Sequence, residues 1–272
     1  MSLRPLTLVT GASSGIGAAL AEVFAKNGHD LALVARRTPR LNLLADRIAR
    51  EGHKRPLVVT ADLLQPDAGA VIDAELARHG FEVQFLVNNA GIGAYGYAAE
   101  IAPDLRRSLI ALNLEAPTAL ILQWLDPIAR HRGGILNVAS TAAFLLRPGM
   151  AMYHATKAYM LSLSEALHNE LASDGVRVCA LCPGPVLTEF FSSAGTTPQM
   201  FPRILYRSPE RVAREGYEGF IAGRTIVIPG FVNKLVCLLP RFLPRGLVQR
   251  MLAPRRIGQA INKNRLREGQ SS

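Results

Sequence analysis

The chain has 272 residues, 49% hydrophobic and 19% charged, a size and balance that suit one α/β domain burying both faces of a parallel sheet. Its three cysteines cannot build a disulfide framework, and no run of eighteen or more apolar residues reads as a membrane span. The net charge of +10 is uneven, because residues 224–272 carry ten Lys and Arg against Glu268 alone. No nucleic-acid-binding motif accompanies that charge, so no nucleic-acid partner is expected.

Short β-branched runs alternate with longer helical ones along the chain. Met1, Ser2, Leu3, Arg4 and Pro5 lead directly into the first strand without the features of a signal peptide, which gives the expectation of a cytoplasmic protein. Residues 6–9 read as a buried strand and 15–27 as a helix ending at Gly28, where helices favour glycine. Strand 29–35, helix 40–50, strand 56–61, helix 66–78 and strand 83–87 follow in alternation. Pro103 then opens a long helix reaching about residue 130, with a kink expected at Pro117.

Strand 134–138, helix 153–172 and strand 176–181 continue the pattern. Ser208 and Pro209 form an N-cap and first-turn proline for a helix to about residue 222, before a last strand at 225–228. Such alternation implies right-handed crossovers and a doubly wound parallel sheet, with ligands at the carboxyl ends of its strands. Cys179 and Cys182 share a strand and should project to opposite faces as buried structural thiols. The six histidines show no metal-ligand spacing, and no metal is expected.

Directly after the first strand comes Thr10-Gly11-Ala12-Ser13-Ser14-Gly15-Ile16-Gly17, opening the first helix. Glycines there let the backbone approach a pyrophosphate whose charge rests on the free N–H groups of the helix terminus. The second strand ends Val34-Ala35-Arg36-Arg37 with no acid nearby. A ribose 2′-hydroxyl would call for a carboxylate at this place, whereas two guanidiniums suit a 2′-phosphate, so the pattern favours NADP(H) over NAD(H). Tyr153 and Lys157 lie four apart at the start of a helix, hence on one face. An ammonium beside a phenol should favour phenolate and bring the tyrosine towards a useful acid/base range.

The spacing and order of these motifs resemble the short-chain dehydrogenase/reductase family, in its shorter branch, over residues 6 to about 229. The resemblance implies a single Rossmann-like doubly wound sheet of about seven strands with helices on both faces. It implies that Gly11, Ser13, Ser14, Gly15, Ile16 and Gly17 hold the pyrophosphate. It places Asp62 and Leu63 at the adenine, and Asn89, Ala90 and Gly91, within Asn88-Asn89-Ala90-Gly91, beside the adenosine. Pro183, Gly184, Val186 and Thr188, in the family's P-G-x-V-x-T, would meet the carboxamide or pyrophosphate.

The same resemblance implies a catalytic tetrad of Asn113, Ser140, Tyr153 and Lys157. Tyr153 would be the general acid/base and Ser140 the donor to the substrate oxygen. Lys157 would hold the nicotinamide ribose as well as the charge, Tyr153 would also contact the cofactor, and Asn113 would organise a water relay. The chain departs from some NADP-dependent relatives in having neutral Ser14 before the second loop glycine, so its cofactor preference rests on Arg36 and Arg37. The activity implied is hydride transfer between nicotinamide and the carbonyl or secondary alcohol carbon of a small-to-medium lipophilic substrate. An NADP(H)-binding regulatory or scaffold protein is the alternative. Homodimers or homotetramers are implied, paired through helices 104–130 and 153–172.

Tyr95, Phe144, Leu145, Met150, Phe190 and Phe191 lie near the chemistry by motif position and suit an apolar substrate pocket. Residues 188–207 lack periodicity and read as a mobile substrate lid. The catalytic domain is assigned to residues 1–230, and a basic C-terminal extension to 231–272. Pro240 and Pro244 should break any single helix in that extension. It is read as packing over the cleft or a subunit neighbour, with a membrane-surface contact through its basic charge, or attraction of an anionic acyl substrate, as alternatives.

Overall fold

The computed structural model describes residues 3–145, 147–195 and 201–242. The basic tail beyond residue 242, and residues 196–200 of the expected lid, lie outside them. The strands are β1 (Arg4–Thr10), β2 (Leu31–Ala35), β3 (Leu57–Thr60), β4 (Phe81–Asn88), β5 (Gly134–Val138), β6 (Arg177–Leu181) and β7 (Ile226–Val227). They form one 7-stranded sheet in the order β3-β2-β1-β4-β5-β6-β7, and every pairing is parallel. The chain reverses its direction of travel across the sheet between β1 and β4. In doubly wound sheets that switch point is where a crevice opens beyond the strand ends.

The helices are α1 (Gly15–Lys26), α2 (Thr38–Arg50), α3 (Ala68–Arg78), α4 (Pro103–Ile110), α5 (Ala116–Gln123), α6 (Leu125–Arg130), α7 (Ala151–Glu170), α8 (Phe190–Ser193), α9 (Pro209–Ile221) and α10 (Phe231–Phe242). One face of the sheet packs against Leu20 and Phe24 of α1, Leu41 and Ile48 of α2, and Val212 and Phe220 of α9. The other packs against Ile72 of α3, Ile121 of α5, Ile128 of α6 and Leu167 of α7. Covered on both faces, the central strands are apolar throughout rather than alternating; residues 31–34 of β2 are all buried. Cys179 and Cys182 are both buried, in separate clusters.

Two local expectations are corrected. The long helix expected over 103–130 is divided: α4 passes into a π-helical turn, Ala111–Glu115, before α5, and α6 follows a break at Trp124. Pro117 has no N–H to give the carbonyl four residues back, at Asn113, so the ladder widens ahead of the proline. In the extension, α10 runs through Pro240 to Phe242. Pro240 forgoes only its own bond to the carbonyl four residues back, at Val236, and Pro244 lies outside the described residues. Asn233 ties α10 to the body through Nδ2, which donates to the carbonyls of Leu205 at 3.1 Å and Pro229 at 2.9 Å.

Candidate active site

The loop between β1 and α1 is locked to the exit of β4. Thr10 Oγ1 donates to the Val87 carbonyl at 3.2 Å and accepts from the backbone N–H groups of Asn89 and Ala90 at 3.0 and 3.1 Å. Asn89 Nδ2 donates back to the carbonyls of Thr10 and Gly11 at 2.9 and 3.2 Å. Gly11 and Gly15 turn the loop through the left-handed region, at φ +64° and +58°. Gly17 permits the close approach: a Cβ there would stand 2.3 Å from Asn89 Nδ2 and 2.5 Å from the Gly11 carbonyl oxygen.

Ser14 precedes α1 but gives it no side-chain cap, so the first N–H groups of that helix keep their capacity for an anion. Its hydroxyl instead accepts from Arg37 Nη2 at 2.9 Å, as does that of Ser13. A second Arg37 nitrogen, Nη1, pairs with Glu189 at 2.8 Å, and Arg40 reaches the other oxygen of the same carboxylate. Arg36 is exposed at the rim. A glycine cradle, a helix terminus and clustered guanidiniums fit a dinucleotide carrying a further phosphate.

A cleft of about 780 Å³ opens at the strand ends. Along it lie Gly11, Ser13, Ser14, Gly15, Ile16, Arg36, Arg37, Asp62, Leu63, Asn89, Ala90, Gly91, Ser140, Tyr153, Lys157, Pro183, Gly184, Val186 and Thr188. Of the site residues expected from sequence, Gly17 and Asn113 do not line it. Gly17 sits behind the loop, and Asn113 is buried within the π turn. Of the apolar candidates, Leu145, Met150, Phe190 and Phe191 line the cleft, whereas Tyr95 and Phe144 do not. Tyr95 is half exposed, and Phe144 packs with Ala139 and Met160. The segment read as an aperiodic lid contains α8 and a 3₁₀ turn at Arg203–Leu205, with Phe191 stacked near Phe201 and Tyr206.

Ser140 ends β5 and caps a short 3₁₀ turn, Thr141–Ala143, its Oγ accepting from the Ala142 N–H at 3.1 Å. The same hydroxyl donates to the Pro183 carbonyl at 3.4 Å and stands near enough to Tyr153 to oppose the upward shift of its phenol. One turn further along α7, Lys157 Nζ donates at 2.8 Å to the carbonyl of Val138. Asn113 fixes the wall opposite. It accepts from the Ile92 N–H at 2.9 Å, donates to the Ile92 carbonyl at 2.9 Å, and donates to Thr156 Oγ1 at 3.1 Å. Thr156, which sequence reasoning missed, therefore joins the π turn to α7, and no motif marked it.

Burial governs the electrostatics here. It pushes the Tyr153 phenol up to about 12, against a smaller opposing pull from Ser140. It draws Lys157 down to about 8. The expectation that Lys157 lowers Tyr153 is thus not met: desolvation of the phenolate outweighs an ammonium whose nitrogen stands 5.8 Å from the ring centroid. At neutral pH the site holds a protonated phenol beside a charged lysine. Such a pair can give a proton to an oxygen on which charge is developing.

A phenol, a hydroxyl and an ammonium along a dinucleotide cradle fit an NAD(P)-dependent oxidoreductase. The chain matches the short chain dehydrogenase family over residues 5–199 and belongs to it. It is 34% identical to oxidoreductase UcpA of Escherichia coli over 190 residues, 68% of this chain and 71% of that protein. A 37% match to a short chain dehydrogenase of Pseudocercospora fijiensis covers 67% of this chain and 60% of that relative's length. Among solved structures, the short-chain dehydrogenase from Sphingobium yanoikuyae in complex with NADPH aligns with a TM-score of 0.77 at 32% identity, over 89% of this chain and 97% of that one. The bulky-bulky ketone specific alcohol dehydrogenase from Comamonas testosteroni aligns with a TM-score of 0.72 at 30% identity, over 90% and 96%.

Proposed function

We propose that the chain uses NADP(H) in preference to NAD(H) to interconvert a ketone or aldehyde and the corresponding alcohol on a small-to-medium lipophilic molecule. The observation that carries this reading is the placement of Ser140, Tyr153 and Lys157 along the same cleft as the glycine cradle. A bound nicotinamide supplies or takes the hydride. In the reducing direction Ser140 donates to the carbonyl oxygen and Tyr153 passes it the phenol proton. Lys157 offsets the phenolate charge left behind, and Asn113 holds the loop at Ile92 in place. Gly11, Ser13, Ser14, Gly15 and Ile16 cradle the pyrophosphate, with Gly17 allowing the loop to close. Arg36 and Arg37 face the 2′-phosphate, and Asp62, Leu63, Asn89, Ala90 and Gly91 the adenosine. Pro183, Gly184, Val186 and Thr188 position the carboxamide end.

Leu145, Met150, Phe190, Phe191, Leu205 and Val236 give the cleft an apolar wall, which supports a lipophilic substrate. The NADPH complex and the ketone-specific relative among similar structures support the same reading. A panel of ketones, aldehydes and secondary alcohols with NADPH, NADP⁺ and NADH tests it. Turnover that disappears in Tyr153→Phe is expected. Tight NADPH binding with no turnover across the panel would favour the regulatory alternative instead.

We assign residues 1–230 to the catalytic domain and 231–272 to an appended segment whose first helix covers the cleft through Val236. A homo-oligomer is proposed through α4, α5 and α7, whose surfaces expose Leu105, Ile110, Leu122 and Tyr159. Sedimentation velocity checks it. A second reading places the extension on an anionic membrane surface, because α10 exposes Phe231 (77%), Leu235 (55%) and Leu238 (44%) ahead of a basic stretch. Vesicle co-sedimentation at low and moderate salt decides it.

A further inference from the structure

Glu189 follows directly on Thr188, the residue whose side chain a Cβ at Gly15 would meet at 2.9 Å. The glutamate thus stands at the edge of the phosphate cradle. Its carboxylate takes one guanidinium on each oxygen, Arg37 at 2.8 Å and Arg40 beside it. Arg37 is itself oriented by the hydroxyls of Ser13, at 2.9 Å, and Ser14, at 2.9 Å. Two arginines from the start of α2, one of them held by two cradle hydroxyls, therefore converge on one anion, and that anion belongs to the chain.

We propose that Glu189 is an intramolecular competitor for this anion subsite, and that with Arg40 it sets how strongly the protein separates a 2′-phosphorylated adenosine from an unphosphorylated one. The inference rests on the reading of Arg37 as the 2′-phosphate contact. It adds Arg40 as a further phosphate ligand beside Arg36 and Arg37, and Glu189 as the group the phosphate must displace.

The chemistry favours exchange. Glu189 and both arginines are substantially exposed, and exposed ion pairs are weak because solvent screens them. A phosphate brings greater charge and three acceptor oxygens to the same planar forks. The two guanidiniums hold the Glu189 carboxyl down to about 2, so it competes as a full anion throughout the neutral range. Displacement also bears on the cleft, because the neighbouring Phe190 ring lies 5.4 Å from that of Tyr153.

Binding of two fragments that lack nicotinamide, 2′,5′-ADP and 5′-AMP, tests this by calorimetry without reference to turnover. In Glu189→Gln the affinity for 2′,5′-ADP should rise by about threefold to tenfold while that for 5′-AMP stays within about twofold, the scale of losing one exposed charge pair. Arg40→Ala should weaken 2′,5′-ADP alone by a similar factor, and the gain from Glu189→Gln should shrink in the double variant. Equal effects on both fragments, or none, would overturn the role of Glu189 while leaving Arg37 as a phosphate contact. If the unaltered chain does not prefer 2′,5′-ADP, and Arg37→Ala changes nothing, the NADP(H) reading falls and takes this inference with it.

Discussion

Lys157 Nζ lies 5.8 Å from the centroid of the Tyr153 ring and donates at 2.8 Å to the carbonyl of Val138. The lysine is anchored to the end of β5 rather than to the phenol. Both groups sit in a pocket that penalises their ionised forms.

That placement predicts a pH dependence. Burial holds the folded Lys157 at about 8, below the ordinary 10.5. The unfolded chain therefore binds this proton more readily between those values, so this group's contribution to stability rises with pH across the window and its penalty is fully present below about 8. Lys157→Met removes the titration. Its melting temperature relative to the unaltered chain should be more favourable at pH 7 than at pH 10. A difference that does not move with pH would contradict the placement.

For catalysis, Tyr153 stays protonated through the neutral range because its folded value is about 12. Tyr153→Phe should lower kcat for ketone reduction by about 10²–10⁴, the span typical of losing a general acid. Ser140→Ala should cost about 10²–10³, as for one donor to a developing oxyanion. NADPH affinity, measured by fluorescence titration, should change by no more than about twofold in Ser140→Ala. Intact turnover in Tyr153→Phe would remove it from the chemistry.

Asn113 satisfies both the N–H and the carbonyl of Ile92. Asn113→Ala should destabilise the fold by about 2–4 kcal/mol, since two backbone groups lose their partner at once. Thr156→Val removes the hydroxyl that accepts from Asn113 and donates to the Tyr153 carbonyl at 2.8 Å, leaves Ile92 satisfied, and should cost about 1 kcal/mol. Urea denaturation of both variants checks the ordering, and an Asn113→Ala as stable as the unaltered chain would refute the account.

Gly17→Ala would force a Cβ to within 2.5 Å of the Gly11 carbonyl oxygen, which is backbone and cannot swing aside. The cradle must open, and NADPH affinity should fall at least about tenfold, or ~1.4 kcal/mol. Equilibrium binding measures it. Unchanged affinity would mean the loop does not hold the cofactor.

Much of the architecture was legible because it depends on local pattern. Apolar runs and glycine stops announced the alternation of strands and helices, and a chain of crossovers admits few topologies. The cradle glycines, Ser140, Tyr153 and Lys157 could be found for the same reason: each sits just past a strand end or in the first two turns of a helix that its neighbours identify. Sequence alone also determined that Tyr153 and Lys157 share a helical face and that Arg36 and Arg37 follow directly on β2.

Tertiary structure decided what those groups feel. The sign of the Tyr153 shift depends on how deeply packing buries the phenol, and spacing along a helix carries no depth. Pro117 was visible, but the π turn that seats Asn113 emerged only where the helix lies against α7 and the loop at Ile92. Thr156, Arg40 and Glu189 carry no local signal, because each acts on residues brought near by the sheet. Glu189 stands 152 positions from Arg37 in sequence, and the carboxyl ends of β2 and β6 set them side by side.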